Sequence, residues 1–143
     1  MVRVLIVIVL AFVAIQIMGA RRRMRLGGAP VRQFYSQVHG ITHRNADGTS
    51  RQKIISKCRL GETLDLVLEP TNRHDPDAIR ICRRNGEQLG YWSGSDGEMA
   101  EDLRAGKRFH VVIDEIYPFE EDSKQHGVRL RVDVLKRIEP RGA

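Results

Sequence analysis

One stretch concentrates side chains able to bind or react: Glu69-Pro70-Thr71-Asn72-Arg73-His74-Asp75-Pro76-Asp77-Ala78-Ile79. Asn72 and Asp75 carry short polar side chains that bond nearby backbone amides, so they can fold the segment on itself. Pro70 and Pro76 stiffen its two ends. Ala78 and Ile79 begin the next strand and bury at once. A stiff polar loop suits a ligand site on a rigid scaffold. The same bonds also serve a plain tight connection, and residue types alone leave both readings open. The sequence has no nucleophile elbow, P-loop or Gly-rich dinucleotide fingerprint. His39 and His43 are four apart but flank a strand end, which makes them a poor metal pair. The expectation is a binding protein and not an enzyme, with no metal and no cofactor. Glu120-Glu121-Asp122 reads as a solvated loop tip.

The elements around the loop follow from periodicity. Residues 34–41 read as a first strand ending near Gly40. Asn45-Ala46-Asp47-Gly48 is turn chemistry. Ser50 offers an N-cap, Ile54, Ile55 and Cys58 recur at helical spacing, and Gly61 suits the helix stop. Residues 63–68 alternate, with Leu64, Leu66 and Leu68 on one face. Residues 78–83 form a third strand with Ile79 and Ile81 inward. Asn85-Gly86 marks a hairpin, since both residues tolerate positive φ, and residues 88–92 return. Ser95 and Glu98 form a capping box for a second helix that buries Met99, Ala100 and Leu103, and Gly106 stops it. Residues 109–117 form a strand with a bulge, because inward parity shifts between Ile113 and Ile116. Residues 118–127 form an acidic loop. Val128, Leu130, Val132 and Val134 then alternate with Arg129, Arg131 and Asp133. Six short strands and two short helices predict a mainly β fold, an antiparallel barrel or sandwich.

Three fragments stand in register: Val38-His39-Gly40, the loop from Glu69 to Ile79, and Leu89-Gly90-Tyr91. Together they resemble the HIRAN domain, whose signature is a glycine ending the first strand, an E-P-x-N-x-x-D-x-x-A-I/V loop and a hairpin returning to G-Y/H. The fixed residues of this resemblance are Gly40, Glu69, Pro70, Asn72, Asp75, Ala78 and Gly90, and it covers about residues 34–138. It implies an OB-like barrel that grips the 3′ end of single-stranded DNA through aromatic stacking and hydrogen bonds to the terminal hydroxyl. The family's aromatic-Asp pair falls on His74-Asp75. Its basic-aromatic pair past the first-strand glycine falls near Thr42-His43, with Arg44 adjacent. The lysine past the hairpin glycine falls about at Gly94, so it is missing, and the family's late phenylalanine has no matched position. Tyr91 and Trp92 offer a stacking surface worth roughly 1–3 kcal/mol per base, with one of the two expected in the core. The family's ATPase activity, when present, comes from separate helicase-type regions, and this sequence contains none.

The N-terminus is of another kind. Residues 4–20 are uncharged and apolar all round, and at 1.5 Å per residue they span roughly 25 Å, near the lower limit for crossing a bilayer. Arg21, Arg22, Arg23 and Arg25 follow at once and favour the cytoplasmic side, each worth about 1 kcal/mol against anionic headgroups. A cleaved signal peptide fits less well, because Met18 stands where a small residue is wanted. The expected layout is an anchor with a basic stop at 1–25, a linker at 26–33, a β domain at 34–138 and a tail at 139–143. The expected topology is a single-pass membrane protein with its N-terminus out and its domain in the cytoplasm. Of the 24 basic residues, Arg3 and those four arginines lie in the first 25 positions, where no acidic residue stands. Removing those five leaves 19 basic against 18 acidic residues from Leu26 onward, so the net +6 belongs to the anchor. A nearly neutral domain gives little bulk attraction for nucleic acid. That charge balance, with the missing lysine, favours a second expectation, a membrane-anchored protein-interaction or regulatory module. Cys58 and Cys82 read as two small buried hydrophobes, the rival being an exported domain with a Cys58–Cys82 bridge.

Overall fold

Alternation along the last strand decides what lies inside. In β6 (His126–Leu135) Val128, Leu130 and Val132 are fully enclosed, while Arg129 between them is exposed. The computed structural model describes residues 30–93, 97–119, 122 and 124–136. Its other strands are β1 (Arg32–His39), β2 (Thr63–Leu68), β3 (Ile79–Arg83), β4 (Gln88–Trp92) and β5 (Arg108–Pro118). They form a closed antiparallel barrel in the order β1-β4-β3-β2-β5-β6. Val38, Leu64, Ile79, Ile81, Val111 and Ile113 meet the β6 side chains in one core.

The pairing is uneven. β1 runs along β6 from Arg32↔Val134 to Gln37↔Arg129, then crosses to β4 through Val38↔Trp92 and His39↔Tyr91. β2 meets β5 through Thr63↔Val112 and Leu64↔Val111. Two three-stranded sheets, β5-β6-β1 and β2-β3-β4, therefore join along two short lines. This is why barrel and sandwich both suit the sequence pattern.

Two helices cover the barrel. α1 (Arg51–Ile55) starts at Ser50, whose side chain accepts from the Lys53 amide at 3.4 Å, and buries Ile54 and Ile55 against β4 and β6. It ends at Ser56 rather than Gly61. Gly61 instead takes φ +77° and donates to the Ile113 carbonyl at 2.7 Å, pinning the entry of β2 to β5. α2 (Glu98–Arg104) buries Met99 and Ala100. Its N-cap is Gly97, and the Ser95 half of the expected Ser95–Glu98 box lies outside the described residues.

Other expectations shift for local reasons. β1 spans Arg32–His39, because Gly40 at φ +68° ends it. At the β3–β4 turn only Gly86 takes positive φ, at +90°, and the Gly86 amide donates to the Arg83 carbonyl at 2.9 Å. This is a type I turn closed by a left-handed glycine, not the primed turn that Asn-Gly suggests. The bulge in β5 is present, as a register shift between Ile113 and Glu115. Asp133, expected on the solvent side, is 2% exposed. Its cross-strand neighbours explain this: Gln33 Nε2 donates to Oδ1 at 2.6 Å and His110 Nδ1 lies 3.4 Å from Oδ2.

The anchor expected over residues 4–20, its arginines, half of the linker (26–29) and the tail lie outside the described residues, and the linker's last two positions belong to β1. Among the described residues no helix is long and apolar enough to cross a membrane.

Cys58 and Cys82 are both free thiols, so the bridged alternative is not what the fold contains. Burial, with the Glu62 charge adding to it, pushes the Cys58 thiol up to about 11. At pH 8 such a thiol is roughly one-thousandth thiolate, and alkylation of Cys58 is expected to run on the order of 100-fold slower than that of an exposed cysteine. Timed iodoacetamide labelling read by mass spectrometry checks this; labelling at the free-cysteine rate would contradict the burial.

Candidate ligand-binding face

The loop between β2 and β3 is built from its own side chains. Asn72 Oδ1 accepts from the His74 amide at 2.9 Å and the Asp75 amide at 3.2 Å. Asp75 Oδ1 accepts from the Asp77 amide at 2.8 Å. The Glu69 amide and Ala78 carbonyl close the base at 2.9 Å. Pro70 and Pro76 are exposed. At the far end, Arg104 Nη2 of α2 reaches the Pro76 carbonyl at 3.0 Å and Asp77 Oδ1 at 2.6 Å. These bonds leave His74 and Asp75 exposed on a tip whose backbone is tied from below.

Glu69 joins this loop to the sheet. Its carboxylate accepts from Asn72 Nδ2 at 3.0 Å and from the Tyr91 hydroxyl at 3.1 Å, and pairs with Arg80 Nε at 2.9 Å. Tyr91 stands between His39 and Arg80 in the cross-strand row, so all three share the outer face. The Arg51 guanidinium stacks over the Tyr91 ring, 5.2 Å from its centroid. Arg51 is 7% exposed, and it donates to Asn45 Oδ1 at 2.7 Å and to the Gly40 carbonyl at 2.8 Å. One unbroken chain of contacts thus runs from Gly40 and Asn45 through Arg51, Tyr91 and Glu69 to Asn72 and the His74 amide.

The motif glycines have steric reasons. A Cβ on Gly40 would come within 2.9 Å of Arg51 Nη1, and φ there is +68°. A Cβ on Gly90 would lie 2.2 Å from the His39 carbonyl oxygen, where β1 crosses β4.

The fold brings together some of the residues singled out from sequence and separates others. His43 and Arg44 are exposed on the loop after Gly40, with Arg44 Nη1 donating to the Gly48 carbonyl at 2.9 Å. That loop and the His74–Asp75 tip are the two ends of the contact chain. Tyr91 lies on the chain, half-buried. Trp92 does not: it faces the other way, packs on the core and meets Phe34 edge-on at 6.2 Å. A joint Tyr91–Trp92 stacking platform is therefore ruled out by strand alternation. Arg51 and Arg80 were missed by sequence reasoning. The available signal was Arg51 at the first position of a helix, where a cation opposes the helix dipole and needs another reason to be there. Among the described residues no three His, Cys, Asp or Glu stand where they could hold a metal ion.

The sequence model of the HIRAN domain matches residues 31–132, more than half of the chain. This chain belongs to the HIRAN domain family. Two solved structures share its fold. The crystal structure of the HIRAN domain of human HLTF superimposes with a TM-score of 0.56 at 15% identity, covering 76% of this chain and 78% of that one. A crystal structure of a protein from Lactobacillus plantarum gives 0.52 at 17% identity, covering 69% and 91%. No curated protein matches the sequence. The signature of this HIRAN domain is thus mostly scaffold: Glu69, Asn72 and Asp75 bond within the loop, Gly40 makes room for the Arg51 guanidinium, and Gly90 makes room for the backbone of β1.

Asn72→Ala removes the one oxygen that accepts from the His74 and Asp75 amides and the tie to Glu69. The expected loss is about 1–3 kcal/mol of stability, measured by urea unfolding, together with faster proteolysis within residues 70–77. Unchanged cleavage there would mean that Asn72 does not organise the loop.

Proposed function

We propose that this chain is a membrane-tethered, non-enzymatic binding module that takes single-stranded nucleic acid on the face running from the loop after Gly40 to the His74–Asp75 tip. The observation that carries the reading is the exposed His74–Asp75 pair, held on a loop whose backbone is fixed by Asn72 and Asp75 and braced on Tyr91 through Glu69. Histidine offers a ring to stack on a base, and a carboxylate can accept from a sugar hydroxyl. Membership of the HIRAN family supports single-stranded DNA as the ligand, with the 3′ end as its distinguishing feature. His43 and Arg44 supply the second edge of the face. With only +1 net charge outside the first 25 residues, few phosphates are neutralised, and the salt slope should be shallow, about −0.7 per phosphate contacted.

Fluorescence titration with short single strands tests this, using oligonucleotides with a free or a blocked 3′ hydroxyl. The free end is expected to bind more tightly, and the His74→Ala, Asp75→Ala double substitution to weaken it at least tenfold, about 1.4 kcal/mol. Equal affinity for both ends rejects end recognition; no binding at low salt rejects the nucleic-acid reading altogether. The near-neutral domain and the absence of the family's lysine favour a second reading, a protein-interaction or regulatory module that uses the same face without nucleic acid.

Tethering rests on residues 4–20 and the arginines after them, with the domain on the cytoplasmic side. In sealed inverted vesicles the domain is expected to be digested by added protease, and in right-side-out cells to be protected. The opposite pattern would place it outside.

A further inference from the structure

A groove of about 680 Å³ opens at the end of the barrel where β1 begins and β6 ends. Its walls are Phe34, Trp92, Met99, Phe109, Val134 and Leu135. Arg32, Lys107 and Lys136 stand on its rim with Glu98 and Asp102, and Asp102 pairs with Lys107 at 2.5 Å. Val31, which also lines it, is 64% exposed, so the apolar surface continues out of the mouth. None of these residues belongs to the contact chain that links the two candidate ligand loops.

Chain connectivity says what this groove can meet. Arg25, the last of the N-terminal arginines, is six residues from Val31. Six residues span at most about 20 Å fully extended, so Val31 cannot stand farther than that from wherever Arg25 is held. Arginines after an anchor sit at the headgroup layer, which extends several ångströms beyond the hydrocarbon. The groove mouth is therefore leashed to the bilayer surface with its exposed apolar residue leading. The volume falls within the range of small-molecule sites, and apolar walls with Arg32 and Lys136 at the rim suit an amphiphile with an anionic head.

We infer that this groove is the face the barrel lays on its own membrane, and that it receives an acyl chain of an anionic lipid; the inference rests on residues 4–20 being an anchor. β1 then leads away from the bilayer, and its eight residues set His39, just before the loop after Gly40, about 23 Å from Arg32 at the groove mouth.

Trp92 is the single tryptophan of the chain and lines the groove, so its emission reports on the occupant. The full-length protein is reconstituted in phosphatidylcholine–phosphatidylglycerol vesicles with ordinary or brominated acyl chains. Loss of most Trp92 emission in the brominated vesicles is expected, with Val31→Asp, at an exposed position, restoring much of it. Full emission in brominated vesicles, with protease digestion showing the anchor inserted, overturns the inference and leaves the anchor standing. Quenching unaltered by Val31→Asp also overturns it, since the mouth would then not be the route. Failure of the chain to insert removes the anchor and the inference together, and the digestion pattern tells that case apart.

Discussion

At Gly90 the backbone of β1 leaves no room for a side chain, since a Cβ there would sit 2.2 Å from the His39 carbonyl oxygen. This close crossing lets β1 leave β6 and join β4, which closes the barrel. It also fixes the register in which Tyr91 points outward and Trp92 inward. The candidate ligand face and the apolar groove are consequences of one alternation, seen from opposite sides of β4. Any larger residue at 90 must push the strands apart, at a typical cost of 1–3 kcal/mol or more.

The forces that hold the candidate face are unequal. The Glu69–Arg80 pair is partly exposed on both sides, and pairs of that kind contribute about 0–1 kcal/mol. The hydrogen bonds of Asn72 to two amides act on backbone groups that would otherwise need other partners, and each is worth about 1 kcal/mol. Arg51 is different again. It is nearly enclosed and has no carboxylate within salt-bridge distance among the described residues, so its charge is met by a carbonyl, an amide oxygen and the face of Tyr91. Burial of a cation on such terms is costly. The arrangement persists because those contacts together fix the loop after Gly40 against β4.

Much of the fold was legible because strands write their faces into the chain. The alternation of Leu64 to Leu68 and of Val128 to Val132, the parity break in β5 and the glycine after α2 all rest on local rules. What failed was decided by residues distant in sequence. Asp133 is buried by Gln33 and His110, which reach it only across the sheet. In the candidate face, the internal bonds of Asn72 and Asp75 follow from side-chain length and position. Arg51 could not be found that way, because Gly40, Asn45 and Tyr91 converge on it only after the barrel closes. Adjacent strand residues must face opposite sides, so one of Tyr91 and Trp92 was expected in the core, though which one turned inward could not be read from sequence.

The two sheets meet through Val38↔Trp92 and His39↔Tyr91 on one side and, on the other, through Thr63↔Val112 and Leu64↔Val111 with the bonds of Gly61 and Glu62 to Ile113 beside them. Such lines are seams. Few backbone bonds cross them, so transient local opening there costs less than fraying within β5 and β6, whose ladder is continuous from Arg108 to Pro118 apart from one bulge. Gly40, Gly90 and Tyr91 all lie on the first seam. A partner that binds across it acts as a clasp on both half-barrels, so the stiffness of the whole shell becomes coupled to occupancy of its outer face.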